Sequence, residues 1–441
     1  MNLTVHDPLL ATDSTRRALL RNAVLLGAGA AFAPQFAWAK GLPAPADLLP
    51  RTIAVIERYV GGRKIPGIVA AFGHGNQPTQ FISRGTDGFK ALAPVDPDSL
   101  FRIYSMTKPL TGMAAMILID QGEMQLDQPL ADILPAFANM QVQDVPDGPL
   151  APTHAAKSPI TIRNLLTHTA GLGYSIIQKG PIKNAYVANG LVPGQFSRTP
   201  VPGLDRGKAV GSLAAFADGL AKMPLVYDPG TQWSYSVGLD LMGRVIEVVS
   251  GKPFDQFLHE AIIGPVGMDS TWFQVPGSQA YRLTDNHIAA FGSLVVIDPG
   301  MSSIYLDKPP FPFGGAGLVS SARDYDRFLA MLANYGRSGR HRVMSERAVR
   351  MGTSNLLPPG AATAGTMING NAFGAGGRVG LGKEAGTYGW GGAAGTIAQV
   401  DLGRGLRNTL MVQLMPPEGL PFLAEYRAAM LADLAAAHLN T

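Results

Sequence analysis

The decisive stretch of this sequence reads Phe101-Arg-Ile-Tyr-Ser-Met-Thr-Lys-Pro-Leu-Thr-Gly112. It predicts a turn that leads into a helix running to about Gln121, where Gly122 supplies the stop. Pro109 is tolerated there because the first-turn amides of a helix have no intrahelical partners. Four apolar residues recur at helical spacing and are expected to form the buried stripe of this helix: Leu110, Met113, Met116 and Ile117.

Within this stretch, Lys108 follows Ser105 by three positions. Positions i and i+3 share one face of a helix, so the lysine can meet the serine hydroxyl. A serine needs a neighbour that accepts its proton before it can attack a carbonyl. Lysine does this only when it is partly neutral, and burial together with the positive end of a helix favours the neutral amine. The pair predicts a nucleophile and its base, although a Ser-x-x-Lys string alone also arises by accident of helix composition.

The composition is that of a globular protein. Its 441 residues, 46% of them hydrophobic, can bury a large core in two or three domain-sized units or in one large two-part fold. Charged residues make up 15% of the chain, the formal net charge is +4, and Lys and Arg form no cluster. Nucleic-acid binding therefore has little electrostatic support, and no nucleic-acid partner is expected.

The N-terminus has the three-part order of an export signal. The pair Arg16-Arg17, typical of a twin-arginine signal, precedes an apolar run over residues 23–33, and small residues allow cleavage after Ala39. The run is shorter than the ~20 helical residues that span a bilayer. Residues 1–39 are thus predicted to be a cleaved signal peptide, leaving a periplasmic or secreted protein without a stable membrane anchor. The alternative is an amphipathic helix that stays attached.

Cysteine is absent, so stability is expected to come from the core, and thiol catalysis and cysteine-bound metals are excluded. The histidines lack metal-ligand spacing, since His259-Glu260 does not continue into His-Glu-x-x-His. The sequence also contains neither a Gly-x-Ser-x-Gly elbow nor a Gly-x-x-x-x-Gly-Lys-Ser/Thr loop. It therefore implies no metal and no cofactor.

Apolar spacing predicts further elements along the chain. A helix is expected over residues 44–60, followed by strands over Pro66–Ala71 and Gln80–Ser83. The segment Gln178–Val210 has few periodic apolar residues and is expected to be a long surface loop. The other expected elements are helices at 162–167, 213–222, 239–249, 321–334 and 420–438, and strands at 289–297, 396–401 and 409–415. An α+β fold follows, with residues 40–100 and 285–441 forming a sheet domain and residues 101–284 a mostly helical domain.

Four motifs resemble the serine beta-lactamase and penicillin-binding-protein-like superfamily, in the expected order along nearly all of the mature chain. They are Phe101–Gly112, Leu165-Leu-Thr-His-Thr-Ala-Gly-Leu172, Pro229-Gly-Thr-Gln-Trp-Ser-Tyr-Ser236 and Phe313-Gly-Gly-Ala-Gly-Leu-Val319. Within the superfamily the sequence is most similar to the class C-like branch that contains the family VIII carboxylesterases. The resemblance implies an antiparallel sheet of N- and C-terminal strands flanked by helices, a mostly helical domain, and an active site in the cleft between them.

The resemblance also assigns roles to three side chains. Ser105 resembles the acylated nucleophile and Lys108 its partner, while Tyr235 matches a tyrosine that shares the proton transfer with that lysine. The two would titrate as a coupled pair. The alternative for Tyr235 is a core aromatic with a satisfied hydroxyl.

Two departures from the family pattern bear on the substrate. Tyr235-Ser236-Val237 stands where beta-lactamases have Tyr-x-Asn, and Trp390-Gly391-Gly392 stands where they have Lys-Thr-Gly. The missing asparagine and lysine ordinarily hold an acylamino side chain and a substrate carboxylate. The Trp-Gly-Gly form resembles the esterase branch and suits neutral or apolar esters, unless Trp390 is only a packing residue beside a bulge.

By the same resemblance, the oxyanion hole is formed by the backbone amides of Ser105 and Ala393. Gly391 and Gly392, with Trp390, are the expected substrate-binding residues, because glycine leaves room for the substrate beside the strand. His168 is expected to be a buried, hydrogen-bonded residue and not a catalytic one, since the lysine and tyrosine already supply the base.

The sequence thus predicts a serine hydrolase that cleaves a small-molecule carboxylic ester through an acyl-enzyme on Ser105. Three alternatives share the fold: a D-aminopeptidase, an amide hydrolase and a weak beta-lactamase. A fourth, of another class, is a non-catalytic penicillin-binding-like protein, which the joint presence of Ser105, Lys108 and Tyr235 disfavours. The sequence makes no prediction of the oligomeric state.

Overall fold

The computed structural model describes residues 43–90, 93–199, 201, 207–290, 293–416 and 419–439. The predicted signal peptide, residues 1–39, lies outside this part of the chain and stays a prediction. Within the described ranges, no helix has the length and apolar character needed to cross a membrane. Ala44–Thr441 cluster as one unit, and the domain boundaries near residues 100 and 285 also stay predictions.

Sixteen strands are present in the described residues. They are β1 (Gly67–His74), β2 (Gln80–Gly85), β3 (Phe101–Arg102), β4 (Gln141–Gln143), β5 (Thr153–Ala155), β6 (Asn286–Ala290), β7 (Ser293–Asp298), β8 (Val319–Ser320), β9 (Arg337–Ser338), β10 (His341–Arg342), β11 (Ala372–Phe373), β12 (Arg378–Val379), β13 (Thr387–Gly391), β14 (Ile397–Asp401), β15 (Leu406–Met411) and β16 (Leu414–Met415).

Twelve α-helices accompany them in the same part of the chain. They are α1 (Pro45–Leu48), α2 (Pro50–Gly61), α3 (Thr107–Asp120), α4 (Ile162–Leu166), α5 (Gly180–Ala188), α6 (Leu213–Leu220), α7 (Gly238–Ser250), α8 (Phe254–Leu258), α9 (Gly264–Val266), α10 (Ala322–Ala333), α11 (Glu346–Gly352) and α12 (Phe422–Ala436).

Seven strands form one antiparallel sheet in the order β11-β12-β13-β14-β15-β1-β2. Strand β1 is buried over residues 67–73, because helices cover both faces of the sheet. Helices α2 and α12 pack together on one face, where the rings of Tyr59 and Phe422 lie 5.0 Å apart, and α10 packs on β1, β14 and β15. Strands from both chain ends therefore build the sheet, as the predicted α+β fold requires.

Helix α3, which carries Lys108 and begins two residues after Ser105, differs from its prediction in one respect. We expected a single buried stripe, but every residue from Thr107 to Leu118 is buried. Helices α7 and α11 pack against α3, and Gly112 lets the backbone of Ala375 come close, since a Cβ there would lie 2.1 Å from the Ala375 carbonyl oxygen. A helix that is apolar all round is a core helix, and α3 forms the centre of the fold.

The segment Gln178–Val210 is not the single surface loop that was expected. Its first part contains α5, whose Ile182 and Tyr186 are buried. The Tyr186 hydroxyl accepts a hydrogen bond from the Gly173 amide at 2.8 Å, which ties the helix to the preceding segment. The described residues that follow α5 run to residue 199 without regular structure.

Three other boundaries also differ from the predictions. The expected helix at residues 44–60 is divided into α1 and α2 at Leu49, because Pro50 has no amide hydrogen to continue the first helix. The expected strand at 289–297 is a hairpin, β6 and β7, whose first strand pairs in parallel with β16. The strand expected at 409–415 corresponds to two strands in different sheets, β15 in the seven-stranded sheet and β16 beside β6. The remaining helices and strands lie within a few residues of their predicted positions.

Candidate active site

The nucleophile turn connects the sheet region to α3. Strand β3 pairs with β8, and a single 3-10 turn, Tyr104–Met106, leads from it into the helix. Tyr104, directly before Ser105, has φ of +41°, a conformation that residues other than glycine rarely adopt. Its hydroxyl accepts a hydrogen bond from the Asn286 side-chain amide at 2.9 Å, and its ring stacks on Phe196. Contacts on both sides therefore hold a strained turn that presents Ser105.

A buried ion pair fixes the strand before this turn. The Arg102 guanidinium donates to the Asp298 carboxylate at 2.6 Å, and both side chains are excluded from solvent. Gln413 completes the arrangement, since its side-chain amide donates to the Arg102 carbonyl and its oxygen accepts from the Arg102 backbone amide. The start of the nucleophile turn is thereby anchored to the hairpin strand β7 and to the segment after β15.

Ser105 and Lys108 are in contact. The Lys108 Nζ lies 3.3 Å from the Ser105 Oγ and donates to the Gly315 carbonyl at 2.8 Å. Lys108 is completely buried, whereas Ser105 is partly exposed. The serine can therefore meet a substrate from solvent while the amine stays shielded from water.

Tyr235 and Trp390 come together with this pair. The Lys108 Nζ lies 4.6 Å from the centre of the Tyr235 ring, and the Trp390 indole N–H donates to the Tyr235 hydroxyl oxygen at 3.1 Å. The tryptophan thus places a neutral hydrogen-bond donor on the phenol oxygen, where the family pattern has a lysine. A donor of this kind stabilises negative charge on that oxygen without adding a positive charge to the site.

Aromatic rings line this side of the site. Trp233 stacks on Tyr235 with ring centres 6.0 Å apart, and the Trp390 ring lies 5.3 Å from Phe373 and 5.7 Å from Tyr235. Tyr174 contacts Tyr235 from another direction, at 5.3 Å. These rings give the site an apolar wall and restrict the orientation of the Tyr235 hydroxyl.

The turn after β13 lies against the nucleophile turn. The Gly392 amide donates to the Thr396 carbonyl at 2.7 Å, and a Cβ at Gly392 would lie 2.4 Å from the Ile103 carbonyl oxygen. Glycine is thus needed at 392 by its protein neighbours, while at Gly391 a Cβ would approach nothing closer than 3.3 Å. This close approach puts Ala393, the next residue, near the backbone that precedes Ser105.

Asp240 is a functional candidate that the sequence interpretation did not identify. It lies in the first turn of α7, is fully buried, and accepts a hydrogen bond from the Gly315 amide at 2.8 Å. Burial raises its pKa from the usual 3.8 to about 6, although the nearby positive charge of Lys108 lowers it. The only sequence signal was an acidic residue at the start of an otherwise apolar helix, which ordinarily indicates a helix-dipole contact at the surface.

His168 lies behind the aromatic wall and is fully buried, with a backbone φ of +56°. Its Nδ1 accepts from the Ser236 backbone amide at 3.2 Å and lies 3.1 Å from the Ser236 hydroxyl. Burial, reinforced by the charge of Lys108, lowers the pKa of His168 well below its ordinary value. A neutral imidazole in this position supports the segment that carries Tyr235, consistent with the structural role expected for it.

The fold and this cluster define a beta-lactamase and transpeptidase-like protein. The sequence profile of the Beta-lactamase family matches residues 52–432, and the chain belongs to that family. Its members are serine hydrolases or acyltransferases. Protein Rv1367c of Mycobacterium tuberculosis strain H37Rv is 33% identical over 77% of this chain and 86% of its own length.

Two further similarities were found, of which the first supports a relation to the family VIII esterases. Esterase EstB of Burkholderia gladioli is 28% identical over 83% of this chain and 90% of its own. The solved structure of EstCE1, described as a hydrolase with promiscuous acyltransferase activity, superposes with a TM-score of 0.70 at 24% identity, covering 87% of this chain and 98% of EstCE1. The second similarity concerns the fold.

Proposed function

We propose that this protein is a serine esterase, which cleaves carboxylic esters through an acyl-enzyme on Ser105. The observation that carries the proposal is the buried Lys108 amine at 3.3 Å from the partly exposed Ser105 hydroxyl. A nucleophile within reach of a base that is shielded from water is the arrangement that acyl transfer needs.

The first half of the reaction forms the acyl-enzyme. The Ser105 Oγ attacks the ester carbonyl carbon, and its proton passes to the Lys108–Tyr235 pair. The oxyanion that forms is stabilised by two backbone amides. One is that of Ser105, and the other is that of Ala393, on the turn after β13 that packs against the segment before Ser105. The alkoxide then leaves with a proton from the Tyr235 hydroxyl, which the aromatic wall and the Trp390 donor hold in place.

In the second half, water replaces the alcohol. The Lys108–Tyr235 pair takes one proton from the water as its oxygen attacks the acyl carbon, and the same proton returns to the Ser105 Oγ when the carboxylic acid leaves. The same pair thus serves as the base in both halves of the reaction.

The surroundings favour esters over beta-lactams. Val237 lies where an amide would hold an acylamino side chain, and Trp390 replaces the cation that would bind a substrate carboxylate. The residues that stand there are an apolar side chain and an indole in the aromatic wall, which suit a neutral acyl group. The esterase activity named for the Burkholderia gladioli relative points the same way.

A matched pair of serine variants tests the proposal. The mature protein is expected to hydrolyse short-chain p-nitrophenyl esters and to turn over a chromogenic cephalosporin at least ~100-fold more slowly. Ser105→Ala should lower kcat/KM for the ester at least ~1000-fold. Ser158 is an exposed serine whose hydroxyl donates to the Pro229 carbonyl, and Ser158→Ala should change kcat/KM less than about twofold. Unchanged ester hydrolysis in Ser105→Ala would contradict the proposal. Faster turnover of the cephalosporin than of the ester would favour the beta-lactamase alternative.

We also propose that the protein acts outside the cytoplasm, on the basis of the predicted signal over residues 1–39. N-terminal sequencing of exported protein is expected to begin at Lys40. Replacing Arg16-Arg17 by two lysines should block export, because the twin-arginine pathway requires the pair. Export of an uncleaved chain would favour the attached helix instead.

A further inference from the structure

Asp240 is a buried carboxylate beside the site to which the reaction described above assigns no role. Its side chain is completely excluded from solvent, and its Oδ1 accepts a hydrogen bond from the Gly315 amide at 2.8 Å. Its Oδ2 is also buried and has no hydrogen-bond partner among the residues that the structure describes. A carboxylate buried with one oxygen unsatisfied is destabilising, so its presence here calls for a functional reason.

The glycine-rich segment Phe313–Leu318 connects Asp240 to Lys108. The peptide group between Gly314 and Gly315 is held at both ends, since its carbonyl accepts from the Thr111 hydroxyl at 2.7 Å and its amide donates to Asp240. The carbonyl of the next peptide group is the one that accepts from Lys108 at 2.8 Å. Asp240 and Thr111 therefore fix the direction in which the Gly315 carbonyl meets the lysine.

The close packing at this point depends on glycine. A Cβ at Gly315 would lie 2.5 Å from the Asp240 Oδ2, and a Cβ at Gly314 would lie 2.4 Å from the Leu239 carbonyl oxygen. Contacts this short exclude any larger residue without displacement of the helix start. The two glycines thus allow this segment to pack closely against the start of α7. The sequence motif alone did not explain why glycine is needed here.

Charge provides a second link. Lys108 is fully buried and, among the residues that the structure describes, has no carboxylate within the 4.0 Å of a salt bridge. The positive charge of Lys108 acts on Asp240, on the other side of the Gly315 peptide, and lowers the pKa of that carboxyl, although burial raises it more. The other titratable groups around Lys108 are Tyr235 and Tyr174, whose rings it faces, and His168, which burial keeps neutral.

We propose that Asp240 is a positioning residue for Lys108, acting through the Gly315 peptide and through its charge. Its hydrogen bond fixes the carbonyl that orients the Nζ toward Ser105, and its carboxylate stabilises the ammonium formed when Lys108 takes the serine proton. As the Ser105 Oγ bonds to the ester carbonyl carbon, the carbonyl π bond opens to the oxyanion, and the proton that leaves the Oγ is bound by Nζ. This inference rests on the proposed function.

The test measures nucleophile activation directly, as the rate at which a fluorophosphonate probe labels Ser105 between pH 5 and pH 9. Asp240→Asn keeps an acceptor for the Gly315 amide but removes the charge. We expect the maximal labelling rate to fall at least ~10-fold, since the base is weaker. The acid limb of the profile should move to lower pH, because without the carboxylate the protonated lysine is less favoured.

Thr111→Val separates positioning from charge. It removes the hydroxyl that holds the other end of the same peptide group and leaves the charges in place. We expect slower labelling with an acid limb at the wild-type pH. A wild-type rate in Thr111→Val overturns the positioning role, and an unmoved acid limb in Asp240→Asn overturns the role of the charge.

Asp324→Asn is the matched control. Asp324 is also a buried aspartate in the first turn of a helix, it accepts from the Ser270 amide at 2.6 Å, and burial likewise raises its pKa. Its labelling profile should follow the wild type, and a shift like that of Asp240→Asn would show a general effect of buried charge and overturn the proposal. Absence of labelling in the wild type, or labelling that survives in Ser105→Ala, would instead refute the proposed function itself.

Discussion

Asp240→Asn is expected to stabilise the folded protein at neutral pH. The pKa of Asp240 in the folded state is about 6, against a usual value of 3.8. At 1.36 kcal/mol per pKa unit, the ionised carboxylate destabilises the folded state by about 3 kcal/mol above both values. Asparagine resembles the neutral acid, keeps the acceptor for Gly315 and replaces an oxygen that has no hydrogen-bond partner in the described part of the chain.

The direction of this stability change with pH depends on whether the folded or the unfolded state binds the Asp240 proton more tightly. Between pH 3.8 and about 6 the folded state holds the Asp240 proton more tightly than the unfolded chain does, so this group's contribution to stability falls as the pH rises. The difference between Asp240→Asn and wild type should be about 0.5 kcal/mol at pH 4 and reach about 3 kcal/mol at pH 7.5. For a chain of 441 residues this is about 3 °C in Tm, from the average unfolding entropy per residue.

Thermal and urea unfolding at pH 4.5, 6 and 7.5 measure this difference. Asp218→Asn, at an exposed position of α6, is the control and should differ from wild type by less than ~0.5 kcal/mol at each pH. Lower stability of Asp240→Asn at pH 7.5, or a gain that does not shrink toward pH 4.5, would refute the reasoning. If Asp240→Asn is more stable than the wild type but activates Ser105 less well, the wild-type aspartate costs stability and is kept for activity.

Two further predictions concern the surroundings of the site. Trp390→Phe keeps an aromatic ring but removes the N–H that donates to the Tyr235 hydroxyl. The kcat for p-nitrophenyl butyrate should therefore fall about 10-fold, with KM changed less than threefold. An unchanged kcat would show that the donor is dispensable. Arg102→Met leaves the Asp298 carboxylate buried without its cation and should lower the free energy of unfolding by about 3–5 kcal/mol in urea titrations, whereas a loss under 1 kcal/mol would mean that the ion pair does not anchor the nucleophile turn.

Helical spacing and turn preferences in the sequence predicted the Ser105–Lys108 contact and the end of helix α3. The contact between Ser105 and Lys108 follows from helical spacing, and the stop at Gly122 follows from its positive φ, which glycine adopts without strain. Tyr235 and Trp390 are 155 positions apart, and no local rule brings them together. Their association came from resemblance to a family, and the structure adds the hydrogen bond between them.

Helix α5 and Asp240 were not predicted from the sequence, because their structure depends on tertiary packing and not on local pattern. Helix α5 is only nine residues long and begins Gly-Pro. Its buried Ile182 and Tyr186 lie four positions apart on one face, which is too short a pattern to predict a helix, and their burial stabilises it. Asp240 was missed for the same reason, since an acidic residue in a first helical turn is usually solvated. Its burial depends on the segment around Gly315, distant in sequence, which packs over it.

The central claim is that Ser105 becomes acylated, and mass spectrometry tests it most directly. Rapid acid quenching of the purified protein with p-nitrophenyl butyrate, followed by intact-mass measurement and peptide mapping, should show a butyryl group on the peptide that contains Ser105. Ser105→Ala should carry none, and Ser158→Ala should match the wild type. An adduct on another residue, or one that persists in Ser105→Ala, would contradict the claim that this serine is the nucleophile.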